Sequence, residues 1–137
     1  MERISVRPHL SEAEILRRLP LWIAFSDLYL DTETGDSTYA AIARACHQSG
    51  YARQELRAIL FDEVGPAFCG NLLQVAGEWA MFSAEEVELA LRKQRLHHRK
   101  FPWPFRRMLT RYTEEQWCTV EHWLDRPPQD LAPPPAA

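Results

Sequence analysis

The sequence predicts an all-α fold, a compact single-domain bundle of about six or seven short helices. Three observations carry this. Helix-start signatures recur along the chain, apolar residues return at three- and four-residue spacing after them, and no segment shows the period-two alternation of β-branched residues that a half-buried strand needs. The chain of 137 residues is the length of one domain, since domains commonly run to about 100–150 residues.

Ser11-Glu12-Ala13-Glu14 reads as a capping box, with Leu10 and Ile15 placed as a hydrophobic staple. Ile15, Leu16, Leu19, Trp22 and Phe25 follow at helical spacing. Pro20 falls inside that pattern and removes a backbone donor, which predicts two helices or one kinked helix. Tyr29–Asp36 (YLDTETGD) is a turn-rich acidic loop. Ser37 is placed to cap a helix through Ser49, with Tyr39, Ile42, Ala43 and Cys46 on one face and Gly50 as its stop. A helix over Arg53–Val64 turns Leu56, Ile59, Leu60 and Val64 inward, and Gly65-Pro66 and Gly70-Asn71 are expected to break the chain. Leu72–Trp79 is short and apolar, and its helical neighbours favour helix; Gly77 there fits close helix packing beside Trp79.

Ser83-Ala84-Glu85-Glu86 is a second capping box, opening a helix to about His98. Phe101-Pro102-Trp103-Pro104 interrupts it, and a short basic helix over Phe105–Arg111 is expected next. Thr113-Glu114-Glu115-Gln116 reads as a third box, starting a last helix through Leu124. Residues 1–10 then form an N-terminal arm and residues 11–125 the helical domain. Residues 126–137, with five prolines, are expected to be a loose flexible tail.

Composition excludes several classes. Apolar residues make up 46% and charged residues 26%, values ordinary for a globular protein rather than a disordered one. No apolar run approaches the roughly 20 residues of a membrane span. The charged N-terminus, MERISVRPHLSEAE, is unlike a signal peptide, so a cytoplasmic location is expected. Three cysteines (Cys46, Cys69, Cys118) without a C-x-x-C pair argue against a disulfide framework or a zinc knuckle, and buried reduced thiols are expected instead.

Charge is unevenly placed. The net charge is -3, yet Arg92–Tyr112 carries eight Lys/Arg and no Asp or Glu. The other eight basic residues stand against all 19 acidic ones, so an acidic body (balance -11) carries one basic stretch.

The blocks LPLWIAFSDLYLDTE (Leu19–Glu33), AILFDEVGPAF (Ala58–Phe68) and NLLQVAGEWAMF (Asn71–Phe82) resemble a family of small bacterial all-helical proteins without an assigned function. The resemblance covers about half of the chain and brings no catalytic residues with it. Bacterial proteins of this type, small, acidic and helical, are often immunity proteins that neutralise a toxin encoded nearby, and this is the analogy the resemblance offers.

Candidate sites follow from side-chain chemistry. Asp27, Asp31, Glu33 and Asp36 lie within ten residues and suit an interaction surface for a basic partner, a solvated loop, or oxygen ligation of a divalent cation. The D-x-D-x-D-G spacing of a calcium loop is lacking, and no metal is assigned. Cys118 and His122 share a helix face, but two ligands do not make a zinc site. No G-x-S-x-G, P-loop, H-E-x-x-H or dinucleotide-binding fingerprint is present, so neither enzyme chemistry nor a cofactor is expected. In the basic stretch, Arg95, Arg99, Lys100, Arg106, Arg107 and Arg111 interleave with Phe101, Trp103, Phe105 and Tyr112. Cations for phosphate and rings for stacking suit nucleic acid, whereas Arg and Trp also anchor protein interfaces. Self-pairing with the acidic body is the third possibility, and a sequence pI of about 5.9 disfavours a dedicated nucleic-acid binder. The leading expectation is a non-enzymatic protein-binding module, in its specific form an immunity protein that occludes a toxin. The alternative is a nucleic-acid-associated regulator acting through residues 92–112.

Overall fold

Helix α1 (Glu12–Ser26) starts where the first capping signature places it: Ser11 Oγ accepts from Glu14 N–H at 3.2 Å. The computed structural model describes residues 10–30, 34–73 and 83–131. Pro20 does not split α1. It lies on the solvent side, as does Leu16, the residue whose carbonyl loses its donor. The opposite face buries Ile15, Leu21, Trp22 and Phe25, and a 3₁₀ turn, Asp27–Tyr29, adds Leu28 and Tyr29 to the core. Tyr29 is therefore a core residue rather than the start of a loop.

Helix α2 (Asp36–Ser49) begins one residue before the expected Ser37 cap, with Gly35 as its N-cap, and ends at Gly50, whose φ of 72° is the left-handed stop glycine favours. Helix α3 (Arg53–Ala58) runs into a π-helical segment, Ile59–Val64, and on into α4 (Gly65–Phe68). Gly65-Pro66 does not break the chain. In the wider turn Gly65 N–H donates to Leu60 O, five residues back, and Pro66 falls in the first turn of the restarted α-helix, where a missing donor is tolerated. A 3₁₀ segment, Cys69–Leu73, follows. Most of the predicted Leu72–Trp79 element, including Gly77 and Trp79, lies outside the described residues, as does most of the N-terminal arm.

Helix α5 (Ala84–His97) opens on the second box, with Ser83 Oγ accepting from Glu86 N–H at 3.1 Å. The third box is not a cap. Helix α6 (Arg106–Leu124) runs unbroken through Thr113, so the two helices expected over 105–124 are one. Thr113 is buried; its hydroxyl donates to Leu109 O at 2.9 Å and lies 2.6 Å from the Tyr29 hydroxyl, bonds that replace any capping role.

Helix α1 packs on α2, α5 and the π segment, and α2 packs on α6. The core between them is built on Trp22, Phe25, Tyr29, Ile42, Leu60, Leu91 and Leu109. The tail does not loosen at Arg126. A 3₁₀ turn, Pro128–Leu131, packs on α2 and buries Leu131, whose apolar side chain repays the ordering of a proline-rich segment. Residues 132–137 lie outside the described set. All regular structure among the described residues is helical, and no helix there is long and apolar enough to cross a membrane.

Candidate functional site

The connection from α5 to α6 is tightly held at its base and exposed at its tip. His98 ends α5 in the left-handed region (φ 48°), a conformation that disfavours side chains with a Cβ. Buried Gln94, 4% exposed, secures it: its carbonyl accepts from His98 N–H at 2.8 Å, and its side-chain amide donates to Arg99 O at 2.7 Å and Asp62 O at 3.1 Å. Phe101 is buried against Gly65, and Arg106 Nε donates back to Phe101 O at 2.9 Å. Between these anchors Pro102 and Pro104 hold Trp103 out, 81% exposed, with Phe105 (45%) and Met108 (53%) beside it in sequence and also on the surface. The four rings of the stretch thus divide. Phe101 and Tyr112 serve the body, with Tyr112 donating to Leu28 O and tilted against Tyr29, while Trp103 and Phe105 face solvent.

The basic residues divide as well. Arg92 pairs with Glu12 (3.0 Å) and Glu88 (3.2 Å), Arg95 with Glu63 (3.3 Å) and Arg111 with Glu115 (3.4 Å). Arg106 is engaged by backbone. Lys93, Arg99, Lys100 and Arg107 have no carboxylate partner among the described residues, although arginines elsewhere in the body (Arg17, Arg18, Arg53, Arg57) do. Arg106 and Arg107 also occupy the first turn of α6, which has no acidic residue and no side-chain cap, an arrangement that opposes the helix dipole. A shallow groove of about 530 Å³ between Pro104, Arg107, Met108 and Arg111 completes the ridge.

Two members of the acidic group, Asp27 and Asp36, fall among the described residues. Asp31 and Glu33 lie outside them. Asp36 is exposed in the first turn of α2, where it complements the dipole. Asp27 is half-buried at the start of the 3₁₀ turn, and loss of solvent raises its carboxyl above the ordinary aspartate range. A carboxyl harder to ionise in the fold than in the unfolded chain favours folding below the ordinary carboxyl range, and that advantage disappears as pH rises through the folded value. Asp27→Asn is therefore expected to melt higher than the native protein at pH 7, with the gap closing by about pH 3. Thermal melts across that range check it, and a native protein more stable than the variant at pH 7 would refute it.

Cys118 and His122 are both exposed, which corrects the expectation of a buried thiol there. No group of three or more potential metal ligands occurs among the described residues. Cys46 and Cys69 are buried as expected; burial pushes the Cys46 thiol up to about 12 and raises Cys69, so neither is primed as a nucleophile.

One polar cluster was not anticipated. Glu63, 4% exposed, accepts from Trp22 Nε1 at 2.9 Å through one oxygen and from Arg18 and Arg95 through the other. It ties α1, the π segment and α5 together. Its signal was register: Glu63 follows Leu56, Ile59 and Leu60 at seven, four and three residues, a carboxylate on the apolar stripe of its own helix.

Fold and surface together define a small all-helical domain with a proline-braced aromatic and basic ridge. The chain belongs to a family described as a domain of unknown function (DUF7079), whose model matches residues 16–123. That span takes in the Glu63 cluster and the whole ridge, which lay beyond the blocks of resemblance. No curated protein matches the chain, and no solved structure does either.

Proposed function

We propose that the chain is a protein-binding module whose contact surface is the ridge around Trp103, rather than the acidic loop. The exposure of Trp103 between two prolines carries this reading. A large ring held in water loses contact with the core and gains little conformational freedom in return, whereas at an interface Trp and Arg supply most of the binding energy. Arg107, which has no carboxylate partner among the described residues, gives the surface a charge preference, so the partner presents an apolar pocket rimmed by acidic groups. The specific role we propose is neutralisation of a bacterial toxin by occlusion, without catalysis; the small, net-acidic helical character of the chain supports it by analogy of type.

Affinity capture with the full chain tests the reading, using cells that express the adjacent gene. The expected result is one stoichiometric protein whose affinity falls by about 30-fold or more in Trp103→Ala, the equivalent of a central interface anchor worth at least about 2 kcal/mol. No protein partner, or a partner held equally by Trp103→Ala, would overturn it. Lys93, Arg99, Lys100 and Arg107, unpaired with any carboxylate among the described residues, favour nucleic acid as the second reading; nuclease-sensitive RNA or DNA in the eluate, bound less tightly as salt rises, would move the function there.

A further inference from the structure

A second concavity shares no described residue with the groove beside Met108. It is a cleft of about 630 Å³ between the π segment and the α5–α6 connection. Phe61, Asp62 and Pro66 line one side, and His98, Arg99, Lys100 and Arg106 line the other. We propose that this cleft binds the phosphate group of a phosphorylated ligand.

Charge is the first support. Among the described lining residues Asp62 is the one carboxylate, set against Arg99, Lys100 and Arg106, so these fixed charges leave two positive charges in excess, matching a phosphate dianion. Arg99 and Lys100 have no carboxylate partner among the described residues, unlike Arg18, Arg53, Arg57 and Arg92. Charge-assisted bonds from guanidinium to phosphate are short and strong, and the planar Arg fork matches two phosphate oxygens at once.

Rigidity is the second. Exposed cations on a loose loop lose much of their binding energy to ordering. Here the backbone beneath them is already fixed. Gln94, a buried amide, bonds the carbonyls of Arg99 and Asp62 together, which ties the two walls of the cleft to each other. Arg106 is held to Phe101 O, and buried Phe101 closes the end of the turn. The left-handed His98 is the one non-glycine residue of positive φ among those described, and such strained positions gather at ligand sites. The π turn that supplies Phe61 and Asp62 is a second irregularity of the kind found at functional sites.

The proposal is independent of the protein partner, and its test separates the two. Inorganic pyrophosphate is titrated into the full chain by calorimetry, against sodium chloride of equal ionic strength. Saturable binding is expected, weakened roughly tenfold or more in Arg99→Gln/Lys100→Gln, where two charge-assisted contacts are lost. Both side chains are exposed and make no ion pair among the described residues, so the variant should keep the native circular dichroism and melting temperature. Trp103→Ala should bind pyrophosphate normally while losing the protein partner. No saturable binding beyond the chloride control, or equal binding by the double variant, would overturn the proposal. A labelled single-stranded RNA identifies the source of the phosphate. RNA displaced by pyrophosphate and lost in the double variant assigns a nucleic-acid backbone, and no RNA binding beside clear pyrophosphate binding assigns a free phosphorylated metabolite. RNA that pyrophosphate does not displace and the double variant still holds would place phosphate recognition elsewhere and overturn the assignment.

Discussion

Glu63→Gln is expected to lower the unfolding free energy by about 3–5 kcal/mol, the effect of removing one partner from a buried ion pair. The variant keeps size and shape and can still accept from Trp22 Nε1, so packing is not what changes. The charge is. Arg18 and Arg95, whose side chains are each 16% exposed, would face a neutral amide, and the Glu63 carboxylate would no longer offset their desolvation; for Arg18 the Glu14 carboxylate, 4.0 Å away, remains. Burial lowers the Arg18 guanidinium's affinity for its proton, and the Glu63 carboxylate, with a smaller contribution from the Tyr51 hydroxyl, more than offsets this and holds it above the ordinary value. The measurement is a urea unfolding curve, with a lower midpoint at unchanged slope. A comparison isolates the mechanism. Replacing all three charges together, as Arg18→Met, Glu63→Leu and Arg95→Met, should lose much less than Glu63→Gln alone, because the desolvated cations are then removed along with the carboxylate that offsets them. A triple variant weaker than the single one would mean that the cluster stabilises the fold outright.

The elements legible in the sequence are those whose cause is local. Ser11 and Ser83 cap their helices through bonds to residues three positions on, and Gly50 stops α2 through its own φ. The misreadings share the opposite property. Thr113 carries the same T-E-E-Q pattern as a true box, but its hydroxyl answers to Leu109 O and to Tyr29, a residue 84 positions away. Pro66 reads as a break until the π turn before it is known, and Pro20 until its solvent exposure is. At the candidate site, the residue types of the ridge were legible and their sorting was not. Nothing in Phe101-Pro102-Trp103-Pro104-Phe105 distinguishes the buried first ring from the exposed second; that is decided by the space Gly65 leaves in a helix some forty residues earlier. Arg95 and Arg99 look alike in the sequence, and only the fold brings Glu63 to one of them.

Gly65→Ala tests that last point, and its expected sign is opposite to helix propensity. An alanine in a helix interior is ordinarily better than glycine by about 0.8–1.0 kcal/mol. At Gly65 a Cβ would lie 2.7 Å from the Phe101 ring, 2.9 Å from the Tyr29 hydroxyl and 3.0 Å from Leu60 O. None of these can yield freely. Tyr29 is held against Thr113, Leu60 O accepts the π-turn bond from Gly65 itself, and Phe101 is wedged into the core. A net loss of about 1–3 kcal/mol is expected, the usual cost of forcing an extra carbon into a packed interior. Gly70→Ala, where a Cβ meets open space, should be close to neutral and controls for the general effect of the substitution. Phe101→Leu in the Gly65→Ala background removes the ring atom that collides, so the double variant should cost less than its two single changes added together. The displacement also has a functional readout. Phe101 is the inner anchor of the segment that projects Trp103, so Gly65→Ala should weaken capture of the protein partner at a temperature where the variant is still fully folded. Partner affinity unchanged alongside a clear loss of stability would separate the ridge from its anchor and leave Trp103 held by its prolines alone.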